Sequence, residues 1–343
     1  MIVQILEDVF VEDKNNDRLD RLWHVIEGPH ILYLKDDSEI DALMNSSWYL
    51  GLRESIKEVI CSLIIKSIQS PKGTNPKIKV SDIDPDLFSI EETIRYLNQP
   101  FTLVFENSKR DSFFFNALIN KFKKKGKTIS KYKNNGWLVF GMGGGSTIPD
   151  MLQSKMEEFI GDIFKKEPMS YLRCFVLIDS DKRFPNDTLN ERLVDFLERY
   201  KIPYHILEKR EMENYIPNEA FSEIKDNREF IDAFLNLSPI QMDYFDLEKG
   251  FEDKRFEQFN EEIRSLYESI QDRDFTIFRK QTLNSINSGN NNFKTEFPKI
   301  FLSDKVTQEN LLARCAHHSN DPNIHPYNPN ELPDLLVQIS SLL

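Results

Sequence analysis

Two aspartates one residue apart, Asp179 and Asp181, follow directly on the apolar run Cys174 to Ile178. An earlier run, Phe101 to Phe105, ends in Glu106. Short apolar runs bounded by turn residues read as buried strands. In one parallel sheet their carboxyl ends share an edge, and acids there converge on the crevice where open α/β folds place their sites. Carboxylates gathered in one crevice repel one another unless a cation joins them. Hard oxygen ligands with room for water suit Mg²⁺, with Mn²⁺ as its substitute. One or two such ions can activate a water, neutralise phosphoryl oxygens and stabilise a leaving oxygen. The spacing therefore points to a metal-dependent enzyme acting on phosphate esters, nucleic acid foremost. Glu106 would complete the metal shell or act as general base, or as acid if its neighbours raise its pKa. Lys109 or Lys182 would steady the phosphate. Taken singly, each acid reads as a helix cap or a solvated loop residue; the combination at two strand ends carries the reading.

Further residues bear on the same chemistry. Gly143, Gly144 and Gly145 stand between a strand and a helix, which suits a close backbone approach to phosphate or a plain flexible turn. They form neither a Walker A loop nor a dinucleotide fingerprint. Glu211 and Glu213 follow a fourth strand and could add ligands for a second metal, or simply favour the positive end of a helix. Lys121 to Lys133 holds seven lysines, among them Lys123, Lys124 and Lys125. It is a candidate basic track beside the crevice or a solvated helix face. Asp82-Ile83-Asp84-Pro85-Asp86 repeats the aspartate spacing, but it is expected to follow no strand and to form a turn before a helix at Ile90 to Leu97. His317-His318 reads as incidental, because adjacent helical residues point apart.

The elements that must position these acids alternate. Strands are expected at 101–105, 137–140, 173–178 and 203–207. Helices are expected at 111–122, 148–164 and 188–200, the last capped by Asp187. This alternation implies a mainly parallel sheet with helices on its faces. Residues 1–98 read as a separate α+β part, with a strand at 30–34 and a long helix from Trp48 to Ile68. Its apolar side would be Leu50, Ile56, Val59, Ile60, Leu63 and Ile64. Residues 99–216 form the α/β core. Residues 217–343 read as mainly helical, with helices at 228–237, 251–271 and 308–315. Turn residues mark loops at Ser70 to Pro76 and Ser288 to Asn292.

Composition sets outer limits. A chain of 343 residues can hold more than one core. No apolar run is long enough to cross a bilayer. Glu7, Asp8, Glu12 and Asp13 interrupt the apolar start, against a signal peptide. Cys61, Cys174 and Cys315 are too few and too scattered for a disulfide framework or thiolate zinc site, so the expected compartment is the cytoplasm. A net charge of −12 argues against broad, non-specific affinity for nucleic acid, not against a local basic track.

The order of elements resembles the TOPRIM domain of topoisomerases, primases and OLD-family nucleases. Glu106-Asn107-Ser108-Lys109-Arg110-Asp111 looks like that family's first motif, and Asp179-Ser180-Asp181 like its Asp-x-Asp. Gly143-Gly144 matches a glycine pair often seen after its second strand. Lys209-Arg210-Glu211-Met212-Glu213-Asn214-Tyr215 is similar to a segment of OLD-like nucleases and of small TOPRIM effectors in anti-phage systems such as PARIS. The resemblance covers residues 101–215. Asn107 departs from it, standing where a glycine commonly follows the first Glu. The resemblance implies a Rossmann-like fold and Mg²⁺ held by Glu106, Asp179 and Asp181, with support from Asp111 and Glu213. It further implies an endonuclease acting on DNA or RNA, tRNA included, in anti-phage defence. OLD-type nucleases carry an ABC-type ATPase in the same chain. This sequence has no Walker motif, so the resemblance implies a separate ABC/SMC-like ATPase partner, with self-association left open. The rival readings are a phosphatase of the Asp-x-Asp type, whose first Asp normally ends the first strand and precedes Thr, and a non-catalytic assembly module.

Overall fold

The computed structural model describes residues 1–69, 76–144, 147–188, 190–224, 228–252, 254–272, 274–279, 298–315 and 328–343. Ser70 to Asn75, Gly145, Ser288 to Asn292 and His317-His318 lie outside them. Two parallel sheets flanked by helices make up the α/β architecture.

The first sheet has the order β2-β1-β3, from β1 (Ile2–Ile5), β2 (Ile31–Tyr33) and β3 (Ile78–Val80). Both pairings are parallel, which corrects the α+β expectation for residues 1–98. The apolar amino terminus is the central strand, and parallel neighbours require crossover helices. Asn16–Ile26 makes one crossover; Asp37–Asn45, Ser47–Gly51 and Glu54–Ile68 make the other. The expected single helix from Trp48 breaks at Leu52 and Arg53, both extended. Of its expected apolar side only Ile60 and Ile64 are buried, while Leu50 is exposed. Val3, Leu22, Ile60, Val80 and Ile90 belong to a core of its own.

The second sheet has the order β5-β4-β6-β7, from β4 (Phe101–Phe105), β5 (Leu138–Met142), β6 (Cys174–Ile178) and β7 (Tyr204–Ile206), all parallel. Side chains alternate faces along a strand. Phe101, Leu103, Phe105, Phe175 and Leu177 face one core, and Val104, Cys174, Val176 and Ile178 the other. Helices Ile148–Glu157 and Glu191–Arg199 cover the second face through Ile148, Leu152, Leu193 and Leu197.

The first face is covered by Ser108–Lys121, Lys123–Asn134 and much of the chain beyond Pro217. Phe221, Phe230, Phe234, Phe245, Phe251 and Phe275 are buried in this same core. Each such phenylalanine contributes about 1.5–3 kcal/mol of hydrophobic stabilisation. The final helix, Glu331–Leu342, lies against Lys123–Asn134 through Leu332, Leu335, Leu336 and Ile339. Its buried Glu331 accepts the Glu208 N–H at 2.9 Å and the Tyr215 hydroxyl, and lies 2.8 Å from His205 Nε2.

Several helices are shorter than their apolar patterns suggest. The helix expected from 188 starts at Glu191, after Asn190 in the left-handed conformation. Asp187 is not its cap; it accepts the Arg183 N–H at 3.1 Å and pairs with the Arg183 guanidinium. The helix expected over 148–164 ends at Glu157, and the stretch expected over 251–271 is only Phe256–Gln258 and Glu261–Leu266. There the aromatic residues satisfy a compact, turn-rich packing rather than a helical face. Among the described residues no helix is long and apolar enough to cross a membrane.

Candidate active site

Chain order reverses between β4 and β6: β4 leads outward to β5, and β6 leads the other way to β7. Such a switch point opens a crevice at the carboxyl ends of the two central strands. Glu106 follows Phe105 at the end of β4, and Asp179 follows Ile178 at the end of β6. Both are half-buried.

The loop after β6 is stitched to the loop after β7. The Ser180 hydroxyl donates to the Lys209 carbonyl at 2.8 Å, and the Asp181 N–H donates to the Arg210 carbonyl at 2.9 Å. The Met212 N–H donates to Asp179 Oδ1 at 2.9 Å, aiming that carboxylate toward the second loop. Asp181 takes φ 55° to make the turn. For a residue with a Cβ this conformation costs about 1–2 kcal/mol, and Asp is one of the few that visit it readily. The bend lets Asp179 and Asp181 serve one crevice although they stand only two positions apart.

Asp111 arrives differently. It lies in the first turn of Ser108–Lys121 and accepts the N–H of Asn107, the residue before that helix, at 2.8 Å, while feeling the charges of Glu213 and Glu106. Glu211 and Glu213 come from the short turn Met212–Tyr215 and its cap. Asn214 holds that turn by accepting the Glu211 N–H at 2.9 Å and donating to the Met242 and Phe245 carbonyls at 2.7 and 2.9 Å.

These acids act on one another. Burial and the Asp181 charge push Glu106 up to about 7. Burial, then Glu213 and Glu106, push Asp111 up to about 7 against the Asn107 N–H and Arg110. Asp179 is raised well above the ordinary carboxylate range by burial, Asp111, Glu213, Glu106 and Glu211. Glu211 is raised likewise by burial and Asp246, with Arg210 opposing. Glu213 is raised by burial and by Glu248 and Asp246, with Arg110 opposing.

The structure thus places Glu106, Asp111, Asp179, Asp181, Glu211 and Glu213, all named from the sequence, where their charges act on one another. It also adds Arg110, Arg210, Asp246 and Glu248, which the sequence reading missed. Arg210 joins Asp246 at 2.7 Å and Glu211 at 3.3 Å, and its guanidinium reaches the Asp181 and Lys182 carbonyls at 3.4 Å. Asp246-Leu247-Glu248 repeats the acid-x-acid spacing, a signal present in the sequence but preceded by no apolar strand.

Lys109 is exposed in the first turn of its helix and Lys182 is half-buried beside Asp181, so both stay at the crevice. Gly144 is exposed at the same edge, past the end of β5. Gly143 is needed for packing instead: a Cβ there would lie 2.9–3.1 Å from Ile148. Lys123, Lys124 and Lys125 do not flank the crevice. They follow a 14-residue helix that starts at the acid edge and runs about 21 Å back toward the strands' amino ends. They are exposed there, on a helix whose other side packs through Gly126, Ile129 and Tyr132.

No protein-family model, curated protein or solved structure matches the chain.

Among the described residues, no group of three or more His, Cys, Asp or Glu side chains closes into a cluster that could hold a metal ion. The acids interact as charges without converging into a finished cage. Their chemistry still fits a hard divalent cation: every donor is a carboxylate oxygen, and a cation would relieve the repulsion that raises their pKa values. A loose set also suits Mg²⁺, which keeps several waters and takes only one or two protein carboxylates alongside substrate oxygens.

Proposed function

We propose that this chain is a Mg²⁺-dependent endonuclease of the TOPRIM type, with a Rossmann-like core, that hydrolyses phosphodiester bonds of DNA or RNA. The observation that carries this reading is the placement of Glu106 and Asp179 at the ends of the two central strands at the switch point, with Asp111, Asp181, Glu211 and Glu213 near enough in charge to act on one another. So much repelling charge at one strand edge weakens a fold; such clusters gather at functional sites, and a bound cation would offset the repulsion.

In this reading Asp179, aimed by the Met212 N–H, and Asp181, held in its bend by Arg210, would hold the metal, with Glu106 completing the set. Bound there, Mg²⁺ would supply charge neutralisation on the phosphoryl oxygens and a lowered pKa for the attacking water. Where Glu106 is not itself a ligand, its carboxylate would accept the water's proton. Lys109, Lys182 and Arg110 would orient the phosphate. The exposed backbone at Gly144 would leave room for the strand to pass.

A cleavage panel tests this. Wild type, Asp179→Asn and Glu106→Gln are incubated with supercoiled DNA, single-stranded DNA and total tRNA, each with Mg²⁺, Mn²⁺ or EDTA. Cleavage of one substrate by wild type, lost in EDTA and in both variants, is the expected result. Cleavage that survives both substitutions would sink the site assignment. A role in anti-phage defence with a separate ATPase belongs to the same proposal and rests on the resemblance of residues 101–215 to small TOPRIM effectors. Pulldown from the native host before and after phage challenge checks it, and recovery of no ATPase in either state counts against it.

A further inference from the structure

A cavity of about 230 Å³ opens beside the acid cluster and shares Arg210 and Asp246 with it. It is smaller than the roughly 300–1,000 Å³ typical of drug-sized ligands, so it suits a single ring system. Its apolar wall is aromatic. Phe259 is half-buried, with Phe251 edge-on behind it at 5.7 Å. The exposed Lys254 side chain places its ammonium over the Phe259 ring at 5.7 Å, so a ring entering on that face would displace it toward solvent.

The polar wall consists of hydrogen-bond donors. Gln258 commits its side-chain oxygen to the Arg255 N–H at 2.7 Å, and Asn260 commits its own to the Ile263 N–H at 3.0 Å. Each therefore has its NH₂ group to offer. Arg183 binds Asp187 through Nε at 2.9 Å and is otherwise half-exposed. The lining carboxylates are already engaged. Asp246 takes Arg210 and the Glu248 and Lys249 N–H groups, and Glu252 faces Lys254 at 3.1 Å. A flat aromatic surface with donors around it selects a planar ring that carries acceptors. Every base carries acceptors, but with the Gln258 and Asn260 oxygens already committed, such a wall has no acceptor for the exocyclic amino group of adenine or cytosine and favours the keto edge of guanine, uracil or thymine.

We propose that this cavity holds one keto nucleobase (guanine, uracil or thymine) turned out of its strand and stacked on Phe259. Its place beside the scissile phosphate rests on the nuclease reading above; the pocket itself does not. Turning a base out of its strand costs unstacking energy, least in single-stranded substrate, as for enzymes that do chemistry on a base. The target therefore becomes a single-stranded or looped segment with a keto base next to the cut.

Free nucleosides test the pocket without phosphate or metal. The full-length protein in EDTA is titrated by saturation-transfer NMR with two matched pairs, uridine against cytidine and inosine against adenosine. Each pair differs by a keto oxygen against an amino group. Uridine and inosine should bind about tenfold tighter than their partners. Phe259→Ala should weaken both by about tenfold, the usual scale for loss of one aromatic stacking platform. Gln258→Glu keeps the oxygen that accepts from Arg255 while replacing a donor by an acceptor, so it should abolish the keto preference without disturbing the fold. Equal binding within each pair, no binding at all, or binding unchanged in both variants overturns the proposal. The two readings fail separately. Nucleosides that bind as stated to a protein that never cuts leave the pocket and remove the nuclease. Asp179-dependent cutting with no nucleoside binding does the reverse.

Discussion

Both sheets place acids at the carboxyl edge of parallel strands, yet they treat the charge in opposite ways. In the first sheet Asp8 follows β1 and Asp82 follows β3 by two residues, so Asp82-Ile83-Asp84 does trail a strand, contrary to the sequence expectation. There the charge is settled locally. Asp8 accepts the Ser81 hydroxyl and the Asp82 N–H at 2.9 Å, and Asp82 pairs with Arg18 at 2.9 Å and accepts the Ile90 N–H at 3.3 Å. In the second sheet Asp179-Ser180-Asp181 meets more acids, with Arg210, Arg110, Lys182 and Lys109 among the cations nearby. An aspartate pair at a strand end is therefore not a site by position. It becomes a candidate when the surrounding fold leaves its charge unbalanced.

The largest expected contrast is in activity. Asp179→Asn and Glu106→Gln should each lower cleavage by at least about 100-fold, the low end for removing a general base or metal ligand. Asp82→Asn should leave the rate within about twofold. A comparable loss in Asp82→Asn would erase the distinction between the two edges.

Stability should move in opposite directions. Glu106 holds its proton more tightly folded, at about 7, than in its ordinary range near 4.5. Its contribution to stability is therefore full below about 4.5 and is lost as pH rises through 7. Asp111 behaves the same way between 3.8 and about 7. Denaturant unfolding in EDTA should show a less stable protein at pH 8 than at pH 5. Glu106→Gln should recover on the order of 3 kcal/mol at pH 8. Arg18→Met, which breaks the first sheet's pair, should instead cost about 1 kcal/mol at either pH. A Glu106→Gln variant that is destabilised at pH 8 would mean that the carboxylate is satisfied rather than strained.

Divalent cation sharpens the same point. Mg²⁺ should raise the unfolding midpoint of wild type at pH 8, do little at pH 5 where Glu106, Asp111 and Asp179 keep their protons, and do little to an Asp179→Asn, Glu106→Gln double variant. Stabilisation of equal size in the double variant would place the ion elsewhere.

The smallest effect is expected from the lysines at the far end. Replacing Lys123, Lys124 and Lys125 by Ala should leave the salt dependence of substrate binding nearly unchanged, because the helix carries them about 21 Å from the acids. Three lysines in contact with phosphates would flatten that dependence by about three units. Such a drop would show nucleic acid running along the helix from edge to edge.

The strands β4 and β6 were legible from composition, because strands covered on both faces are nearly continuous runs of apolar residues. Their terminal acids were legible for the same reason: charge begins where burial stops. Glu211 and Glu213 were visible as acids after a fourth strand, whereas Asp246 and Glu248 were not, since no strand announces them. The amino-terminal sheet was read only in part. Ile2–Ile5 is four residues long, too short for a pattern to separate a central strand from a loose apolar start. The lysine run was read for its charge alone, and charge does not say which end of a helix faces the crevice.

The sequence by itself determined where buried strands run and which acids cap them, because hydrophobic periodicity and turn residues act over a few positions. The tertiary structure alone decided strand order, and with it the switch point that sets Glu106 beside Asp179. It also decided which charges are neutralised, since Arg18 reaches Asp82 across 64 residues and Arg210 reaches Asp246 across 36. Electrostatic balance is a sum over neighbours in space, and no local pattern in a chain contains that sum.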